Sequence, residues 1–161
     1  MKLKRMRAIA LLGISWFGIG LFLLYKGIFL LVHALTFDYM KNQVVIRAMK
    51  RFLNSSEHAA IVILSFALFL GIIKGRFILG RTARRTVSRI LQTPEPISLK
   101  EIFPPKYLLL VAFMITLGLF MNRSTLSFDI RGIIDVAVGS ALIQGGMQYF
   151  RSALQLKYIK S

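Results

Sequence analysis

Cysteine is absent from this chain of 161 residues, and histidine is almost absent. The lack of cysteine excludes disulfides, thiolate metal sites and cysteine nucleophiles. His33 and His58 are the only histidines, too few for a histidine-rich metal site within one chain. No cofactor-binding motif is present, so we expect neither a bound metal nor a cofactor.

The signatures of common enzymes are also missing. The sequence contains no HExxH, Walker A or GxSxG motif and no close pair of carboxylates. Asp129 and Asp135 lie six residues apart, on different faces of a helix, with Arg131 between them. The sequence therefore favours a non-catalytic protein, with a lipid-modifying membrane enzyme as the last of three alternatives.

Acidic residues are few as well. Six Asp and Glu stand against 22 Lys and Arg, giving a net charge of +16. In a soluble protein such a charge would point to nucleic acid. Here 56% of the residues are hydrophobic, the mean hydropathy is +0.65, and the basic residues cluster mainly between long apolar runs. Membrane proteins have this pattern, so we expect a lipid bilayer as the partner and no nucleic acid.

Four apolar runs predict four membrane-spanning helices, at about 8–31, 57–79, 105–121 and 130–150. The second and third runs need their flanking residues to reach about 20 residues, and Lys74 and Arg76 can extend toward the headgroups. The first run is longer than the apolar core of a signal peptide, and Lys26 interrupts it, so we expect it to be retained. The predicted fold is a single all-α integral membrane domain, residues 1–161, with a basic connection over 80–104.

The basic residues also predict the orientation. With the N-terminus inside, the inner segments hold 15 Lys and Arg and the outer segments hold six. Cytoplasmic segments of membrane proteins carry this excess. We therefore expect both termini in the cytoplasm, in the inner (plasma) membrane of a bacterium.

An amphipathic helix is predicted after the first span, over 39–53. Its polar face would carry Arg47, Lys50 and Arg51, opposite an apolar face with Val44, Met49 and Phe52. This arrangement is typical of a helix that lies in the membrane interface. Asn54 and Glu57 have the spacing of a capping-box variant for the second span.

A charge cluster is predicted within the spans. Apart from Glu57 at the first residue of the second run, Asp135 is the only acid in the four apolar runs, and a carboxylate within a span needs a partner or water. Arg131 precedes it by one helical turn, and Lys26 would lie at the same side of the membrane on the first helix. We favour a stabilising ion pair over a proton or ion site.

The fourth span has two rows of small residues suited to close helix contacts. Gly132 and Gly139 lie on one face, and Ala141 and Gly145 on another, beside the amides Gln144 and Gln148. Packing within one bundle explains both rows. A homo-oligomer or another membrane subunit explains them equally well, whereas a polar pore lined by the amides is less favoured.

Four arginines of the basic connection share one helical face: Arg81, Arg84, Arg85 and Arg89. They fix topology, bind anionic lipid headgroups at about 1 kcal/mol each, or contact an acidic cytoplasmic partner. The leading function is a non-catalytic membrane subunit that acts by helix assembly and by contact with lipids or partners. The alternative is a small oligomeric channel or transporter that uses Asp135 with Lys26.

Overall fold

The computed structural model describes residues 2–36, 44–94, 97–98, 112, 116, 118–120, 123 and 126–159. Nearly all of these residues are helical. Most of the predicted span at 105–121 lies outside the described residues. The third predicted span, and with it the count of four, therefore stays a prediction.

The helices and two very short strands follow one another in the order β1 (Lys2–Leu3), α1 (Arg5–Thr36), α2 (Val44–Leu53), α3 (Ser56–Lys74), a π-helix (Gly75–Leu79), α4 (Gly80–Gln92), β2 (Ile97–Ser98) and α5 (Phe128–Ile159). The segment from α3 to α4 continues without a break. Three segments are long and apolar enough to cross a membrane: Arg5–Thr36, Ser56–Gln92 and Phe128–Gln155.

The turn between α2 and α3 differs from the expected capping box. Asn54 adopts a left-handed conformation with φ of 53°, which asparagine tolerates better than most residues. Ser55 is the N-cap residue of α3, and no side-chain hydrogen bond caps the helix. The predicted pairing of Asn54 with Glu57 is therefore wrong, because Asn54 lies in the turn before α3 and Ser55 is the N-cap residue.

Helix α5 lies between two partners. α1 runs antiparallel along it, with Gly13 near Tyr149 and Gly27 near Gly132. α3 and the π-helix pack against a different face, where Gly71 meets Ala137. α5 therefore forms the centre of the described structure.

A hydrophobic cluster closes one end of this bundle, which we call the basic end. It joins the first turns of α1, the buried side of α4 and the last part of α5, through Ala8, Ile9, Leu12, Ala83, Val87, Ile90, Tyr149 and Ala153. The strands β1 and β2 pair antiparallel beside it, with Leu3 opposite Ile97. The Arg5 guanidinium donates to the Thr93 carbonyl oxygen at 3.0 Å. The start of α1 and the end of α5 thus lie at the same end.

A second cluster forms at the opposite end, which we call the α2 end. Ile46 of α2 is fully buried among Ala34 of α1 and Ala59 and Ile63 of α3. Helix α2 is therefore part of the packed structure rather than a detached segment.

An apolar band encircles much of the bundle between these ends. On α1, apart from Met6 near its start, the exposed large apolar side chains run from Ile14 to Val32. On α3 and the π-helix they run from Ile61 to Ile78, with the exposed Lys74 and Arg76 among the last of them. At about 1.5 Å per residue these stretches are about 27 and 26 Å long. Because Gly13 and Gly80 both lie beside the Gln148 to Phe150 part of α5, the two stretches end at the same level.

Candidate functional site

An ion pair joins α1 and α5 within the apolar band. The Lys26 Nζ atom lies 2.9 Å from Asp135 Oδ2, and the two side chains are 34% and 11% exposed. Gly27 packs directly against the Gly132 carbonyl oxygen and against Val136, which brings the two helices close enough for the Lys26 side chain to reach the carboxylate. The structure thus brings together Lys26 and Asp135 of the predicted charge cluster.

Arg131, the third member of the predicted cluster, lies in an aromatic environment. It is only 7% exposed, and its guanidinium lies 5.7 Å from the centre of the Phe128 ring. The His33 ring packs edge-on against the same phenyl ring at 5.5 Å. A cation over an aromatic face is attracted by the ring quadrupole, so Phe128 helps to hold Arg131 at the α2 end.

Asp129 has a role that the sequence did not reveal. Its fully buried carboxylate accepts the backbone N–H groups of Val45 at 2.6 Å and Ile46 at 3.1 Å. It also accepts the N–H of Ile130 at 2.8 Å. The first N–H groups of a helix lack partners within the helix and favour a negative charge. Asp129 therefore accepts hydrogen bonds from N–H groups in the first turns of both α2 and α5.

Three glycines of α1 face three glycines of α5. Gly13, Gly20 and Gly27 recur every seven residues, and so do Gly132, Gly139 and Gly146. The antiparallel register pairs Gly13 with Gly146, Gly20 with Gly139 and Gly27 with Gly132. We call these three pairs the glycine ladder. A methyl group on Gly139 would lie 2.7 Å from the Gly20 carbonyl oxygen. Only glycine allows this backbone contact, and glycine has the same role in closely packed pairs of membrane helices.

The α1 half of this glycine ladder was not predicted from the sequence, where only the small residues of the fourth span indicated close helix contacts. The seven-residue spacing of glycines on both helices could have predicted the contact, because such a spacing keeps the same side of each helix against its partner. Two of the α5 members of the ladder, Gly132 and Gly139, were predicted contact residues. The ladder accounts for the first of the two small-residue faces of α5.

The second face of α5 packs against α3 and the π-helix. A methyl group on Gly71 would collide with Ser140 and the Ala137 carbonyl, and one on Gly75 would lie 2.6 Å from the Ala141 carbonyl oxygen. Gly145 lies against Leu79, whereas Gln144 and Gln148 approach Gly75 and Gly80. The structure thus places the amide row at the contact between helices.

The four arginines of α4 point away from the bundle. Ala83, Val87 and Ile90 are buried on one side of α4, and the other side exposes Arg81, Arg84, Arg85 and Arg89. Lys4 and Arg7 are exposed at the same end. Among the described residues, Glu57 is the only exposed acid, because Asp129 and Asp135 are buried. The described surface is therefore strongly cationic at the basic end.

Within the described ranges, no three His, Asp or Glu side chains lie close enough to hold a metal ion. No protein-family model matches the chain, and searches of curated proteins and of solved structures find no match either. A function is therefore inferred from the geometry of this chain alone.

Proposed function

We propose that the protein is an integral membrane protein with four spans that acts as a non-catalytic subunit, by helix assembly and by contact with anionic lipids or partner proteins. The observation that supports it most is the apolar band, about 26–27 Å long on α1 and on the α3 segment. The hydrocarbon core of a bilayer is about 30 Å thick. The predicted segment 105–121 would supply the remaining span, the third in chain order.

The basic residues beyond one edge of the band support an orientation of the protein in the membrane. The exposed arginines of α4 and the N-terminal Lys4 and Arg7 lie beyond one edge of the band. By the positive-inside bias this edge faces the cytoplasm, which places both termini there. We further propose that this membrane is the inner membrane of a bacterium, with α2 at its outer face.

The distances along α4 divide its arginines into two groups. Counted from Ile78 at the band edge, Arg81 lies about 4–5 Å beyond, and Arg84 and Arg85 lie about 9–11 Å beyond. Arg89 lies about 16 Å beyond. The headgroup layer is about 5–8 Å thick, and the Debye length is about 8 Å at physiological ionic strength. Arg81, Arg84 and Arg85 are therefore suited to lipid phosphates, whereas Arg89 is too far out to contribute much.

This difference provides a matched experiment. We expect Arg81→Gln to lower the amount of anionic lipid that the purified protein retains, by about 1 kcal/mol of binding free energy. Arg89→Gln, which removes the same charge from the same exposed face, should leave retention close to the wild type. Lipid extracted from the detergent-purified proteins and quantified by mass spectrometry gives the readout. Equal effects of the two variants, or none from both, would refute lipid binding by this helix.

The ion pair favours transport as the second candidate function. Lys26 is partly exposed although its partner is almost buried, and charged residues within spans often mark ion or proton pathways. For a small channel or transporter, Asp135→Asn should abolish cation- or proton-dependent flux into liposomes while the protein stays folded. For a non-catalytic subunit, the wild type itself should show no flux above empty liposomes, and its native mass should include a second copy or another subunit.

A further inference from the structure

We infer that α2 is a second lipid-binding element, which binds anionic headgroups in the leaflet opposite to the α4 arginines. This inference rests on the proposed membrane placement and extends it to the α2 end. It assigns the exposed side of α2, with Val44, Lys50, Arg51 and Phe52, to the surface of the bilayer.

The level of α2 relative to the apolar band is the first support. Ile46 packs against Ala34 and Ala59. These alanines lie two residues, or about 3 Å, beyond Val32 and Ile61, where the band ends. Helix α2 is therefore at the depth where acyl chains give way to headgroups.

The direction of α2 is the second support. Its N-terminus is held by Asp129 at the start of α5, through the N–H groups of Val45 and Ile46. Its C-terminus joins the start of α3 through the tight turn at Asn54. Since α3 and α5 both begin at this end, α2 lies across the end of the bundle. Its axis is therefore close to the membrane plane.

The exposed side chains of α2 fit such a position. Val44 and Phe52 are 58% and 83% exposed and fall in one row with Ala48, four residues apart. Lys50 and Arg51 are exposed on the remaining surface. Interfacial helices combine an apolar row that enters the acyl boundary with basic residues that attract anionic lipids. The apolar row beside these basic residues, at the level where the apolar band ends, points to a lipid surface rather than to a protein partner.

Tryptophan fluorescence in the full-length protein tests the depth of α2. Phe52→Trp is reconstituted into vesicles whose lipids carry bromine either near the headgroup end or near the methyl end of the acyl chain. The wild type, with its single and buried Trp16, supplies the background. Phe22→Trp is the control, because Phe22 lies in the middle of the band and is 65% exposed. We expect Phe52→Trp to be quenched more by the shallow bromines and Phe22→Trp more by the deep ones.

A second comparison tests the preference for anionic lipid. In a phosphatidylcholine vesicle, a minor fraction of brominated phosphatidylglycerol should quench Phe52→Trp more than the same fraction of brominated phosphatidylcholine. Adding Lys50→Gln and Arg51→Gln should remove that difference.

Three results would overturn the inference. Quenching of Phe52→Trp by aqueous iodide but by neither bromolipid would place α2 in water. Protection from both quenchers would mean that a second copy of the chain covers it. Equal quenching by the two brominated headgroups would refute the anionic preference. Failure of the Phe22→Trp control to respond to deep bromines would instead refute the membrane placement itself.

Discussion

Replacing Gly20 with alanine should destabilise the contact between α1 and α5. The added methyl group would lie 2.8 Å from the Gly139 carbonyl oxygen and 2.8 Å from the Ile143 amide nitrogen. Both atoms belong to the backbone of α5, so neither can turn aside as a flexible side chain would. The helices must separate instead, which weakens the neighbouring glycine contacts.

Gly18→Ala provides a closely matched control on the same helix. No heavy atom of the protein lies within 4 Å of a methyl group on Gly18. Both substitutions exchange glycine for alanine inside α1, so the gain in helix propensity, about 1 kcal/mol, is common to both. The difference between the two variants is then the cost of overpacking, about 1–3 kcal/mol.

Thermal unfolding of the purified proteins in the same detergent measures this difference. For a chain of this size, 1 kcal/mol corresponds to about 2–4 °C in Tm. We expect Gly20→Ala to unfold about 2–12 °C below Gly18→Ala. Equal melting temperatures would refute the close antiparallel register of the glycine ladder.

Two further predictions concern the buried carboxylates. Asp135→Asn and Lys26→Met should each lower Tm, because each leaves a lone charge that keeps its desolvation cost; the loss should be smaller than the about 3–5 kcal/mol of fully buried pairs. The double variant should recover part of that loss. Additive losses in a thermal-shift assay would contradict the pairing. Asp129→Ala leaves the N–H groups of Val45 and Ile46 without their acceptor, so it should cost about 1–3 kcal/mol and speed amide exchange in α2. Glu57→Gln removes an exposed acid and should leave amide exchange in α2 unchanged, whereas unaltered exchange in Asp129→Ala would contradict the capping role.

The helices that carry the apolar runs were predictable, because length and composition reflect the environment of a whole segment. The runs at 8–31 and 57–79 lie inside α1 and the segment Ser56–Gln92, and the run at 130–150 lies inside α5. Pro94 lies two residues beyond the end of α4 at Gln92, as expected because proline has no N–H to continue a helix. The amphipathic helix predicted over 39–53 is described from Val44 to Leu53, and the predicted residues 39–43 lie outside the described residues.

The contacts between distant parts of the chain were harder to predict. Nothing near Asp129 in the sequence indicates that its carboxylate caps α2, which precedes it by 84 residues. The pairing of β1 with β2 involves only two residues on each strand, too few to leave a pattern. The π-helix also has no clear signal in its apolar sequence. In contrast, Lys26 and Asp135 could be matched because charges in apolar runs are rare and need partners.

Labelling of single introduced cysteines tests the membrane placement most directly, because the natural chain has no cysteine. Phe22→Cys, Lys50→Cys and Arg84→Cys report on the middle of the apolar band, the α2 end and the basic end. With a membrane-impermeant maleimide, the placement predicts labelling of Lys50→Cys only from outside and of Arg84→Cys only in inverted vesicles. Phe22→Cys should remain unlabelled from both sides until the protein is denatured. Labelling of Lys50→Cys and Arg84→Cys from the same side, or of Phe22→Cys from either side, would contradict it.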